Sequence, residues 1–386
     1  MNTSPLPAQP DLGDIRAHFP FLDSGRIWLN HAATSPWSTD VMAMLDRLRA
    51  ITAHGEIDCY TDAIGVLTRT RVMAAAMMGA DARDVAFTSN TSEGLNILAS
   101  GLVWKPGDRI VLVDREFPSN IYPFLNLARL GVEIDFVEQH DGMVPVEAIE
   151  RALTPRTVLV AVSWVQFLSG YVVDLNALGT LCRARGVLLS VDAIQGLGAI
   201  RLDLTRTPVD FLAAGTQKWQ MGPLGLAIIV VPPATRERIS QSHLGWLSVD
   251  EAWDFFDYRV DLLDDARRYE NGTFNAMGVY AYHGALSLFE SVGHDWIDRR
   301  VRALATRVFD HAHARGYALR TPADAVRRAG IVTFAHPEAD RIAATLHDRR
   351  IDVSSRAGHL RIAPHFYNTD DEVDTAMEAI AELLPY

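Results

Sequence analysis

The chain has 386 residues, 48% of them hydrophobic, and carries 36 Lys and Arg against 48 Asp and Glu for a net charge of −12. That length supports one large cored domain with a smaller one beside it, and the acidic balance excludes a general attraction for nucleic acid or for anionic membrane surfaces. Two cysteines, Cys59 and Cys182, make no disulfide framework and suit a reducing compartment. The polar, Pro-rich start has no signal-peptide pattern, and no apolar run approaches the roughly 20 residues of a membrane helix. A soluble cytoplasmic protein is the expectation.

Residues 1 to about 12 read as a loose tail within an N-terminal arm over 1–30. A large domain is expected over 31–285. Between about 70 and 231 strand-like runs alternate with helical patterns: Val85 to Thr88, Arg109 to Val113, Ile134 to Val137, Val158 to Val162, Val187 to Val191, Val209 to Leu212 and Leu226 to Val231. Several are continuously apolar, as strands buried on both faces are. With helices such as Asn176 to Arg185 between them, they predict an α/β fold: a mostly parallel central sheet with helices on both faces. A smaller α+β domain is expected over 286–386. It has a long amphipathic helix at about 286–315, a strand at 331–334, a helix near 338–349 and short strands at 351–353 and 359–363. Its last helix opens with the capping box Thr369 to Glu372.

Four places carry chemistry. Asp192 ends an apolar strand, where open α/β sheets place ligands, and a buried carboxylate there needs a cationic partner such as a protonated pyridine nitrogen. Gln195 can then hydrogen-bond a ring substituent. Alternatively, Asp192 only caps a turn. Lys218, in Gly215-Thr216-Gln217-Lys218-Trp219, follows a strand and is hemmed in by apolar surface, which turns an amine into a nucleophile for aldehydes; a solvated surface lysine is the plain alternative. Thr91 and Ser92 open a helix, and hydroxyls beside free N–H groups there make an anion cradle or an ordinary cap. Arg361 lies inside an apolar strand, where its planar fork suits a carboxylate from a substrate or from the protein itself; Arg356 is a weaker candidate nearby.

Taken in order, the cradle, Asp192-x-x-Gln195, Lys218 and the C-terminal Arg361 resemble the class V aminotransferase superfamily. The resemblance runs from Leu29-Asn30-His31-Ala32 to Arg361-Ile362-Ala363-Pro364 and on to Thr369. It implies fold type I and a pyridoxal 5'-phosphate (PLP) enzyme. On that pattern Lys218 is the catalytic residue and forms a Schiff base with the cofactor. Asp192 pairs with the pyridinium nitrogen, Gln195 meets the ring oxygen, and Thr91, Ser92 and Gln217 hold the phosphate. Phe117 stacks on the ring, and Arg361 takes the substrate carboxylate with Asn30 and His31 near the substrate. Arg268 to Thr273 resembles the segment that reaches the partner's phosphate in the family's homodimers, which makes Thr273 a candidate in trans.

The departures narrow the chemistry. Phe117 stands where the family's cysteine desulfurases usually stack a His, Phe167 where they tend to have Asn, and Gly215 where they have a phosphate-binding Ser. The stretch Ser354 to Leu360 carries no persulfide-forming Cys. Cys182 fits a helix core. Gly196-Leu197-Gly198 is no dinucleotide fingerprint, His311 and His313 make no metal pair, and no Gly-x-Ser-x-Gly elbow is present. The reading that leads is an aminotransferase acting at Cα of an amino-acid-like substrate. The alternatives are a β-lyase on a cysteine derivative, an epimerase with His31 as second base, and a catalytically silent PLP-fold binding protein.

Overall fold

The computed structural model describes residues 10–55 and 57–384. The expected tail over 1 to about 12 lies mostly outside these. Within the described residues, Asp11 caps a helix over Leu12–Ala17, its carboxylate accepting from the amides of Gly13 and Asp14.

Strand β1 (Ile27–Trp28) comes first. Seven strands then build the central sheet: β2 (Val85–Thr88), β3 (Arg109–Val113), β4 (Glu133–Val137), β5 (Thr157–Ser163), β6 (Leu188–Asp192), β7 (Phe211–Gly215) and β8 (Ala227–Val230). Their order is β2-β8-β7-β6-β5-β3-β4. Only β8 runs antiparallel to its neighbours. The continuous apolar runs have the cause that the sequence suggested. Val111 and Val113, Val160 and Val162, Leu212 and Ala214 pack into one core, while Ile110 and Leu112, Leu159 and Ala161, Phe211 and Ala213 pack into another on the opposite face. Successive side chains on a strand alternate faces, so a sheet covered on both sides needs apolar residues at every position.

Five further strands follow: β9 (Ala318–Leu319), β10 (Val332–Ala335), β11 (Ile351–Asp352), β12 (Ser354–Arg356) and β13 (His359–Ile362). Four of them form an antiparallel sheet ordered β12-β13-β10-β9. Helices His294–Ala314, Ala339–Asp348 and Asp370–Leu383 share a separate core with it. The capping box is present in full, with Thr369 and Glu372 each accepting the other's backbone amide.

Two expectations need correction. The long helix at 286–315 is two helices, Ala276–Val292 and His294–Ala314, divided at Gly293, whose φ of 90° no helix accommodates. The first of these runs unbroken through residue 285 and packs into the core that covers one face of the central sheet. At the other end, β1 pairs in parallel with β11, Ile27 against Ile351, so the segment expected as a separate N-terminal arm is tied to the C-terminal elements.

Candidate active site

The C-terminal ends of the parallel strands converge where β6 meets its neighbours, with Ser163, Asp192 and Ala213 aligned across β5, β6 and β7. Asp192 is 2% exposed. One oxygen accepts from the Ile194 amide at 2.9 Å. Burial raises its pKa, and the nearby Lys218 charge only partly offsets this. A buried carboxylate without an ion-pair partner is a costly arrangement.

Lys218 lies in the loop between β7 and β8. Its backbone is clamped: Ser35 donates through Oγ to the Lys218 carbonyl at 2.7 Å, and the His365 ring meets the Trp219 carbonyl at 2.9 Å. Trp219 is fully buried. The Lys218 ammonium sits 5.4 Å from the centroid of the Phe117 ring. Burial depresses the pKa of this amine; Asp192 acts in the opposite sense, and Arg361 and Arg356 lower it further. Lys218 and Asp192 therefore lie close enough for their charges to perturb each other.

Gln195 donates to the Ala32 carbonyl at 3.0 Å and accepts from the Trp219 indole at 2.8 Å. The indole is a donor only, which fixes the amide orientation and leaves one N–H free for a ligand.

Helix Thr91–Gly101 starts beside the lysine loop, capped by the Asn90 side chain on the Glu93 amide. Thr91 Oγ1 accepts from the Gly215 amide at 2.9 Å, and Ser92 donates to Ser119 at 2.8 Å. The close approach of this helix to the sheet depends on Gly94, where a Cβ would come within 2.6 Å of Ile229. At Gly215 a Cβ would meet the Gln217 amide oxygen at 2.5 Å, so Gln217 fills the space a serine there would use.

Arg361, on β13, is 3% exposed. Its guanidinium donates to Ser354 Oγ at 3.1 Å and to the Phe167 carbonyl at 3.0 Å. Both partners are neutral, and among the described residues no carboxylate lies within 4.0 Å, so the internal ion pair does not exist. Burial lowers this pKa to about 10, with a contribution from Arg356. Asn30, bridged to Ala363, keeps a buried side-chain oxygen without a donor.

His31 departs from the expectation of substrate contact. It is fully buried, with one ring nitrogen on the Ala363 carbonyl at 2.8 Å and the other on the Tyr367 hydroxyl at 2.9 Å. Burial lowers its pKa and keeps it neutral. Both nitrogens are engaged, so it cannot act as the second base that epimerisation requires. Thr273 is exposed in the loop ahead of helix Ala276–Val292. Glu270 just before it is held by Arg71 and by the Phe87 amide.

Glu116 escaped the sequence reading. Its buried carboxylate accepts from the amide and hydroxyl of Ser163 and from Gln166 Nε2. It ties the segment carrying Phe117 to the end of β5. The only signal in the sequence was its place next to Phe117. Cys182 is buried in helix Leu175–Arg185 and its thiol is pushed up to about 12 by burial, as a core residue's is. Among the described residues no group of three or more metal-ligating side chains occurs.

The fold and the placing of Asp192 and Lys218 at the C-terminal edge of the parallel sheet define a class of α/β proteins. The family profile described as Aminotransferase class-V matches residues 27–375. The chain belongs to that family, and is thereby a PLP-dependent enzyme of fold type I. It is 30% identical to the uncharacterised aminotransferase YcbU of Bacillus subtilis, over 80% of this chain and 81% of that protein. It is 28% identical to a probable cysteine desulfurase of Pyrococcus abyssi, over 96% and 97%. Among solved structures, the apo cysteine desulfurase of Thermococcus onnurineus superposes with a TM-score of 0.88 at 25% identity, covering 99% of each chain. The cystine C-S lyase C-DES has the same fold, with a TM-score of 0.87 at 21% identity, over 94% of this chain and 99% of that one.

Proposed function

We propose that this enzyme is an aminotransferase acting at Cα of an amino-acid-like substrate, with Lys218 as the catalytic base. The observation that carries it is a buried acid with no ion-pair partner, a buried guanidinium with no acid, and an amine whose basicity is lowered by burial and perturbed by both of their charges. PLP fits each. Asp192 would hold its ring nitrogen, Thr91, Ser92 and Gln217 its phosphate, Phe117 its ring face, the free N–H of Gln195 its ring oxygen, and Lys218 its aldehyde. When bound, PLP supplies an electron sink for a bond breaking at Cα.

The chain's own groups do the rest. Arg361 grips the α-carboxylate and Asn30 Oδ1 accepts a hydrogen bond nearby. That grip places the Cα–H bond, rather than the carboxylate, where it is weakened. Lys218, its amine less basic through burial, would take the proton from Cα and hold it for return. Phe117 and Phe167 meet edge to face with ring centroids 5.6 Å apart and offer no proton. This favours transamination, which needs no donor beyond Lys218.

A β-lyase on a cysteine derivative is the second reading, and the desulfurase names of the relatives favour it. Persulfide transfer has no support: the Ser354 to Leu360 stretch closes through a two-residue turn, Ala357 and Gly358 both at positive φ, with no thiol. Incubation of the PLP-loaded enzyme with amino acids separates the two. A keto acid with pyridoxamine phosphate supports transamination; pyruvate with a released thiol overturns it in favour of the lyase.

A homodimer with shared sites is part of the proposal. Trp253 (60% exposed), Phe256 (87%) and Tyr258 (88%) crowd one segment, more apolar surface than a free subunit normally shows. Covered by a second copy, Thr273 would serve the partner's phosphate. The proposed setting is the cytoplasm; no described helix is long and apolar enough to cross a membrane.

A further inference from the structure

The hairpin that presents Arg361 carries more positive charge than one carboxylate requires. In its register Ser354 faces Arg361 and Arg356 faces His359. Residues opposite each other on an antiparallel pair share a face, and so do residues two apart along a strand. Ser354, Arg356, His359 and Arg361 therefore line one face, while Leu360 points the other way into the small-domain core. The Ser354–Arg361 hydrogen bond fixes which face is which.

The inner end of that face is covered. Arg361 lies under the Phe167 carbonyl, and Thr333, its neighbour on β10, donates to the Leu168 carbonyl. Toward the turn, the face opens. Arg356 is exposed and its guanidinium donates only to the Ser355 carbonyl, at 2.8 Å. Among the described residues no carboxylate lies within 4.0 Å of it. By that register it shares the face of Arg361, which lies two residues along from its cross-strand neighbour His359. In a chain of net charge −12, two neighbouring guanidinia without acids are an arrangement for anions. Diagonal positions across a strand pair lie about 7–8 Å apart, a span bridged by a molecule with two anionic groups a few bonds apart.

We infer that Arg356 is a subsite for a second, distal anion, so that the substrates are amino acids whose side chains end in a carboxylate, phosphate or similar group. This rests on the reading of Lys218 and Arg361 given above. Arg361 takes the α-carboxylate at the buried end, and Arg356 takes the side-chain anion at the open end. A neutral side chain leaves Arg356 unpaired, and discrimination follows from that loss.

The test is a titration of the PLP-loaded enzyme, read by the coenzyme's visible absorbance, with L-aspartate, L-glutamate and O-phospho-L-serine against L-asparagine, L-glutamine and L-serine. At least one charged ligand binds about tenfold or more tightly than its neutral counterpart, as a charge-assisted pair implies. The pair with the widest gap identifies the anion. Arg356→Gln brings that ratio to about one, and Arg356→Lys retains part of it. A wild-type ratio near one, or a ratio that survives Arg356→Gln, overturns the subsite while leaving the reading of Lys218 intact. A coenzyme band that no amino acid shifts overturns that reading and the subsite with it.

Discussion

Replacing Arg361 with Met separates binding from stability. Burial takes the guanidinium from 12.5 to about 10. At about 1.4 kcal/mol per pH unit, holding the charge there costs the folded protein about 3 kcal/mol. The sign follows from a cation whose folded pKa is lowered: the cost is in force at neutral pH and fades only as pH rises toward the unfolded value. Met is close in volume and removes the charge, but it forfeits the hydrogen bonds to Ser354 and Phe167, worth about 1.5 kcal/mol each at the low end for a charged donor. The net is a stability change of about zero, against the usual loss on mutating a buried residue. Substrate binding suffers far more. A bidentate carboxylate grip is worth about 3–6 kcal/mol, so affinity falls by about a hundredfold to ten-thousandfold. Denaturant unfolding of the coenzyme-free protein gives the first quantity, and amino-acid titration of the loaded protein the second. A loss of several kcal/mol in stability would refute the unpaired-charge argument, and affinity within about threefold of wild type would refute the carboxylate role.

Asp192→Asn leaves the fold and PLP binding in place but lowers turnover by about 10²- to 10⁴-fold, since the ring nitrogen loses its ionic partner; steady-state kinetics with a coenzyme-content assay check it. The rate at which the coenzyme-free protein captures PLP rises with pH as Lys218 loses its proton, with a midpoint below that of an ordinary lysine. Because the Arg356 charge lowers the Lys218 pKa, Arg356→Gln moves that midpoint upward; a stopped-flow pH series shows either shift or its absence. Cys59→Ser keeps turnover within about twofold, and Cys182→Ser costs about 1–3 kcal/mol of stability through a buried hydroxyl without abolishing turnover. Phe256→Glu with Tyr258→Glu yields monomers by light scattering and weakens PLP retention, as loss of a partner's Thr273 requires.

Much of this could be read from residue order alone. Strands such as Ile110 to Val113 and Leu159 to Val162 declare themselves because both faces of the sheet are covered, which leaves no polar alternation to confuse the pattern. Asp192, Lys218 and Arg361 stood out as charges in apolar surroundings. Their missing partners did not, because an unpaired charge is recognisable only against everything that surrounds it. The hidden features are long-range ones. Glu116 meets Ser163 and Gln166 across separate strand ends, and His31 is claimed by Ala363 and Tyr367 at the far end of the chain. Strand β12 reads Ser-Ser-Arg, with no apolar signal; pairing with β13 alone makes it a strand. The break at Gly293 was concealed because apolar periodicity continues on either side of it.

The central claim is that one amine, at position 218, bonds the coenzyme. Borohydride reduction of the PLP-loaded protein, followed by proteolysis and peptide mass spectrometry, tests it directly. The account predicts the pyridoxyl group on the peptide containing Lys218, and none on Lys105. Labelling at Lys105, or undiminished labelling of a Lys218→Ala variant, would contradict it.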